Sequence, residues 1–233
     1  MSRAPCRTPN SWLPARTSRH CSGRSTSAGR RSTISTWTEP LLLATGNAHK
    51  VQEIREILQG SGLLLDTIAS FPGLPKSPET GATYLENALQ KARHYHQLTG
   101  RPCLADDSGL EIDALDGAPG LHSSRFGGEE TPHEEKIRLV LEALTQVPEE
   151  RRTARFRCVA VAVGVGPEPL VGEGVCPGRI ALAPAGAHGF GYDPIFWVPS
   201  EGATMAELPE GRKHQISHRG RAMRALAQKL LVP

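Results

Sequence analysis

The chain is poor in cysteine and in aromatic residues and has no long apolar run, and each scarcity closes off a class of protein. Its five cysteines, Cys6, Cys21, Cys103, Cys158 and Cys176, show no Cys-x-x-Cys pair and no other metal-binding spacing. An odd number of scattered thiols in 233 residues reads as reduced cysteine and a cytoplasmic setting, not as a disulfide framework. Phe, Trp and Tyr make up 5% of the chain, which leaves few platforms for stacking a nucleic-acid strand. Nowhere are eighteen consecutive residues apolar, so no segment reads as a membrane-spanning helix.

Acidic residues are missing altogether from positions 1–38, which hold seven Arg, no Lys and fourteen Ser or Thr. The remaining 20 basic and 24 acidic residues leave 39–233 mildly acidic, so the formal net charge of +3 hides a sharp segregation. A nucleic-acid partner is therefore expected for the extension at most and not for the body. Residues 1–38 bury too little apolar surface to offset their ordering entropy and are expected to be disordered. Their composition fits an organellar transit peptide without its amphipathic stripe, and fits an extension from an upstream start codon equally well. Residues 39–233 are long enough for one core without staples.

From residue 39 onward the apolar pattern alternates between the two periods. Leu41–Leu43 form a short apolar run ending at Thr45-Gly46-Asn47, and Val51, Ile54, Ile57 and Leu58 then recur at helical spacing as far as Gly60. Thr83 starts a second helix carrying Leu85, Ala88, Leu89, Ala92 and Tyr95, closed by Gly100. Pro102–Ala105 reads as a strand running into Asp106-Asp107-Ser108-Gly109 at its end, where a bare turn and a pair of acids for a metal are both open. Residues 133–145 give a third helix, 156–165 a β-rich run followed by hairpins, and Met223, Leu226, Leu230 and Leu231 a C-terminal helix. The expected fold is α/β: a mixed central sheet flanked by helices, with ligands bound in a cleft at strand ends.

Four constellations carry chemistry. Thr45-Gly46-Asn47-Ala48-His49-Lys50 sits between a buried strand and a helix start, where glycine allows close approach, first-turn amides face outward and Lys50 adds charge. The local alternative is that Asn47 simply caps the helix. Glu86, Asn87 and Lys91 lie on the second helix, the last two on one face; Thr83-x-x-Glu86 also matches a capping box. Asp106 and Asp107 are adjacent on extended chain and so point to opposite sides; Asp107 is the one chosen for the site, with Ser108 beside it. Gly189-Phe190-Gly191-Tyr192-Asp193-Pro194 offers a ring face to a planar base, and Lys213, His218 and Arg219 add polar edges, although His218 is also a plausible helix cap.

Read together, Thr-Gly-Asn-x-x-Lys, Glu-Asn-Ala-x-x-Lys-Ala, Asp-Asp-Ser-Gly-Leu, Phe-Gly-Tyr-Asp-Pro and Ser-His-Arg-Gly resemble, in order and spacing, the inosine/xanthosine triphosphate pyrophosphatase family. The resemblance spans residues 40–231. It implies Mg²⁺-dependent hydrolysis of non-standard purine nucleoside triphosphates (ITP, dITP, XTP) to monophosphate and pyrophosphate, and a homodimer. By the same resemblance, Thr45, Gly46, Asn47, Ala48, His49 and Lys50 form the phosphate loop. Glu86 and Asp107 are the Mg²⁺-side acids, and Asp107 also accepts the proton of the attacking water. Ser108, Phe190, Gly191, Tyr192, Asp193, Lys213, His218 and Arg219 contact the nucleotide. One departure is His122, where relatives often carry Tyr.

Two other readings compete with this one. A pyrophosphatase for modified pyrimidine or methylated nucleotides would share the phosphate apparatus but need another base pocket. A nucleic-acid-binding protein acting through its basic extension would bind DNA in a salt-sensitive way.

Overall fold

The computed structural model describes residues 39–231, so the extension 1–38 expected to be disordered lies outside the described residues. Seven strands form one sheet in the order β2-β1-β3-β4-β5-β6-β7, the last two being the short Phe196–Val198 (β6) and Ala203–Thr204 (β7). Strands β1 (Leu41–Leu43), β2 (Leu65–Thr67) and β3 (Cys103–Ile112) run parallel where they pair, and every later neighbour is antiparallel. The mixed sheet with flanking helices is the architecture expected from the pattern. Among the described residues no helix is long and apolar enough to cross a membrane.

Local signals set the first elements. Asn47 accepts the backbone N–H groups of His49 and Lys50 and starts α1 (Ala48–Ile57). Thr83 accepts the N–H of Glu86 and starts α2 (Tyr84–Thr99), which ends on Gly100 in the left-handed region at φ 67°. Helix α3 (His133–Ala143) is shorter at its end than the expected 133–145, because the last turn tightens onto Leu144 and Thr145 through bonds back to Leu141 and Glu142.

The middle of the sheet carries the main correction. Asp106-Asp107-Ser108-Gly109 does not stand at the end of a strand; it lies inside β3, paired residue for residue with Ala160, Val159, Cys158 and Arg157 of β4 (Thr153–Val163). The apolar run of β4 supplies a continuous antiparallel ladder, and that tertiary pairing overrides the turn preference of the four residues. Strand ends still define the site, through β1: it stops at Leu43 opposite Leu104, whereas β3 runs on to Ile112.

Helices cover both faces. Ile54 of α1, Leu58 at its C-terminal cap and Met223, Leu226 and Leu230 of α5 (His218–Leu231) pack against Leu41, Leu43 and Leu104; Ala88, Ala92 and Tyr95 of α2 pack on Leu42, Cys103 and Val161 behind them. Each such large apolar side chain contributes on the order of 1.5–3 kcal/mol by leaving water. Helix α5 is seated on β5 (Leu170–Ile180) at Gly172 and Gly174, where a Cβ would run into the carbonyl oxygens of Ala222 and His218. These glycines bring the start of α5 against the sheet, and the start of α5 is His218-Arg219.

Candidate functional site

The period-two geometry of β3 sends its two carboxylates to opposite faces, as the sequence predicts, and a different network awaits each. On the α2 face, Asp107 accepts from Lys91 Nζ at 2.9 Å and from Asn87 Nδ2 at 3.2 Å, the two residues that helical spacing had put on one face. Lys91 Nζ also lies 3.3 Å from Glu79 Oε1, so one ammonium bridges two carboxylates. Burial alone would weaken the protonation of Lys91, but Asp107, Asp106 and Glu79 outweigh it and raise its pKa.

Glu86 stands elsewhere. Its carboxylate is exposed and accepts the Ala82 N–H at 2.6 Å, a variant of the capping box, and it makes no contact with Asp107. Two oxygen donors close to one another with a single cation between them suit a hard divalent ion, so Asp107 and Glu79 are the pair that fits Mg²⁺. Among the described residues no group of three or more His, Cys, Asp or Glu side chains is gathered, so such an ion would complete its shell with oxygens from substrate and water.

On the α1/α5 face, buried charges alternate along a chain. Lys50 Nζ lies 3.1 Å from Asp106 Oδ2, and Arg219 Nε donates to the same oxygen at 3.3 Å. Arg219 donates further to Glu53 at 2.5 Å and to Ser108 Oγ at 2.9 Å; Lys213 pairs with Glu53 at 2.5 Å and with Asp193 at 2.7 Å. Burial would raise the carboxyls of Asp106 and Glu53, yet the adjoining cations hold both below the ordinary range, Lys50 and Arg219 at Asp106, Arg219 and Lys213 at Glu53. At Asp193 burial wins over Lys213 and its pKa rises.

The Phe190 loop closes this side. Asp193 accepts the Phe190 N–H at 2.9 Å on the oxygen that also takes Lys213, so its carboxylate shapes the turn and is not open to solvent. Tyr192 is buried and donates to the Ser123 carbonyl at 3.0 Å, tying the loop to residues 120–125. Gly189 and Gly191 carry φ of 75° and 66°, the left-handed turn that aims the Phe190 ring outward. Lys213 Nζ and Arg219 Cζ lie 5.2 and 5.6 Å from the ring centroid, and the His49 ring stacks on it at 5.3 Å and 16°. Thr45 accepts the Asn47 N–H, so Thr45 to Lys50 form a compact loop directly after β1.

His218 does not cap α5. Ser217 Oγ does, accepting the Gly220 N–H at 3.0 Å, while the His218 ring lies flat against Phe156 at 4.6 Å and 14°. Burial drives the His218 pKa well below its ordinary value and Arg219 and Lys213 push the same way, which leaves a neutral imidazole beside a guanidinium.

The arrangement is a divided site: carboxylates and an ammonium on one face of β3, a neutral charge chain and a half-buried ring on the other, meeting where β1 ends. Residues 41–229 match the model of the Ham1 family. The chain belongs to the Ham1 family. The dITP/XTP pyrophosphatase of Shigella flexneri is 49% identical over 195 residues, which cover 82% of this chain and 98% of that one. The dITP/XTP pyrophosphatase of Escherichia coli K12 is 47% identical with the same coverage. A solved Ham1 protein from Coxiella burnetii superposes with a TM-score of 0.75 at 44% identity, over 82% of this chain and 98% of its own.

Three residues of these charge networks escape sequence reading. Glu53 sits beside the apolar stripe of α1 with nothing local to mark it, and its partners are 160 and 166 residues away. Glu79 lies in an unpatterned loop after Pro78, and Arg125 at the end of a 3-10 turn, 3.7 Å from Glu79.

Proposed function

We propose that this protein hydrolyses non-standard purine nucleoside triphosphates, ITP, dITP and XTP, to the monophosphate and pyrophosphate. The observation that carries the reading is the bridge Asp107–Lys91–Glu79 beside the loop Thr45–Lys50: an acid pair and cations positioned for a polyphosphate, in a chain nearly half identical to dITP/XTP pyrophosphatases. Mg²⁺, held by Asp107 and Glu79, would neutralise phosphate charge and polarise the α-phosphoryl group.

The chain's own residues supply the rest. Asp107 accepts the proton of the attacking water, with Lys91 and Asn87 fixing its carboxylate. Lys50 and the first turn of α1 hold phosphate oxygens. The Phe190 ring stacks the base and His49, now against that ring, rearranges to admit it. Arg219 spends three donors inside the protein, leaving one N–H on each terminal nitrogen, and with the neutral His218 it faces the base edge. A purine 6-oxo group accepts there, whereas the adenine amino group meets a second donor. An unmatched donor costs about 1–3 kcal/mol. The quaternary state proposed is a homodimer, after the family resemblance, and the setting cytoplasmic.

Hydrolysis of ITP in ¹⁸O-water tests the bond broken. The label is expected in IMP and not in pyrophosphate; label in pyrophosphate would place the attack on the β-phosphorus and contradict the proposed reaction. In the same assay Glu79→Gln is expected to raise the Mg²⁺ half-saturation by about tenfold or more and Glu86→Gln to leave it within about twofold. The reverse order would return the metal role to Glu86.

A further inference from the structure

We propose that Arg125 is a substrate-contacting residue that grips the terminal phosphates, the future pyrophosphate, and that His122 is its positioning residue. The inference rests on the reading of the site as a triphosphate pyrophosphatase and assigns a role to a segment that neither the motifs nor the reaction has used.

The platform for Arg125 is rigid. Residues 120–125 form a 3-10 turn lying directly on β3, because Gly109 leaves no Cβ where the Gly120 carbonyl oxygen sits. Ser123 Oγ donates to Gly120 O at 2.6 Å and accepts the Leu110 N–H at 2.9 Å. Tyr192 Oη and Lys136 Nζ donate to the carbonyls of Ser123 and Ser124 at 3.0 and 2.5 Å. The turn is thus pinned to the strand that carries Asp107 and to the loop that carries Phe190.

The guanidinium at the end of this platform makes one hydrogen bond, through Nε, and one long ion pair, through Nη1. Its Nε donates to His122 Nδ1 at 3.1 Å, which fixes the plane of the fork, while Nη1 stands 3.7 Å from Glu79 Oε2, beyond hydrogen-bonding distance. The side chain is 32% exposed, so the fork reaches solvent on the Glu79–Lys91–Asp107 side. Compare Arg152, which is buried and donates to the carbonyls of Val147, Leu144 and Ala181. A planar fork held at its Nε, with both terminal nitrogens available beside an acid pair that fits Mg²⁺, matches two oxygens of a phosphate chain.

The test is binding of inorganic pyrophosphate and of IMP at saturating Mg²⁺, by calorimetry, beside steady-state kinetics with ITP. Arg125→Ala is expected to weaken pyrophosphate and raise KM for ITP by about tenfold each, with IMP affinity kept within about twofold. Arg125→Lys keeps the charge without the fork and is expected to recover only part of the loss. His122→Ala is expected to weaken pyrophosphate severalfold in the native background and to add nothing to Arg125→Ala, because it acts through that side chain. Unchanged pyrophosphate affinity in Arg125→Ala overturns the proposal. So does a raised Mg²⁺ half-saturation with pyrophosphate affinity unchanged, which would make Arg125 a support for Glu79. Failure of the native enzyme to release pyrophosphate from any purine triphosphate would sink the functional reading instead, a result distinct from either.

Discussion

Asp107→Asn is expected to lower kcat by roughly 10³- to 10⁴-fold while the protein stays folded. Asparagine has the size of aspartate and still offers Lys91 an oxygen, and Lys91 retains Glu79 at 3.3 Å, so neither packing nor the buried ammonium is abandoned. On the proposed reading, what is lost is the charge that would face a metal and the basicity that would accept a proton, and both act on the chemical step. The comparison is kcat with ITP beside the far-UV circular dichroism and Tm of the variant. A folded Asp107→Asn enzyme within about tenfold of native kcat would show that water is activated elsewhere, with Glu79 the next carboxylate in line.

Arg219→Ala carries the largest expected loss of stability. Arg219 is almost fully buried and joins three acceptors: Asp106, Glu53 and Ser108. Without it Asp106 keeps Lys50 as its one cation, beside the Cys158 thiol, and Glu53 keeps Lys213, so two desolvated carboxylates lose a charged partner at once. Truncating one member of such a network costs about 3–5 kcal/mol, or a fall in Tm of roughly 6–20 °C for a domain of this size. Arg219→Lys should recover part of the stability and not the two-sided geometry of the fork. A Tm within about 2 °C of native for Arg219→Ala would mean that the network relaxes around the gap and that Arg219 serves the ligand alone.

The parts of this fold legible in the sequence are those decided within a few residues. Asn47 and Thr83 cap the helices they precede, and Gly100 closes α2 because a left-handed residue is needed there. The opposite orientation of Asp106 and Asp107 follows from strand geometry alone. The extent of β3 was not legible, since Asp-Asp-Ser-Gly has turn chemistry and only its ladder with β4 makes it strand. Short elements without a pattern, β2 and α4 (Glu210–Ile216), also left no signal, although α4 carries Lys213.

The site divides along the same line. Phe190, Lys213 and Arg219 do converge, as the resemblance implies, and Asn87 and Lys91 do share a face, as spacing indicates, which the fold directs at Asp107. Glu86 could be read equally as cap or as ligand, and the structure gives its carboxylate a cap bond. Glu79 and Glu53 become visible only when their partners arrive from distant segments, so no window of sequence could have marked them.

The central claim, that the two faces of β3 form one purine triphosphate site, is tested most directly by kcat/KM for ITP, XTP, dITP, GTP, ATP and dUTP under one set of Mg²⁺ conditions, with products identified. ITP, dITP and XTP are expected to exceed ATP and dUTP by at least about 10²-fold, each yielding a monophosphate and pyrophosphate. Equal kcat/KM for ATP and ITP, a preference for dUTP, or release of orthophosphate with a diphosphate would contradict it.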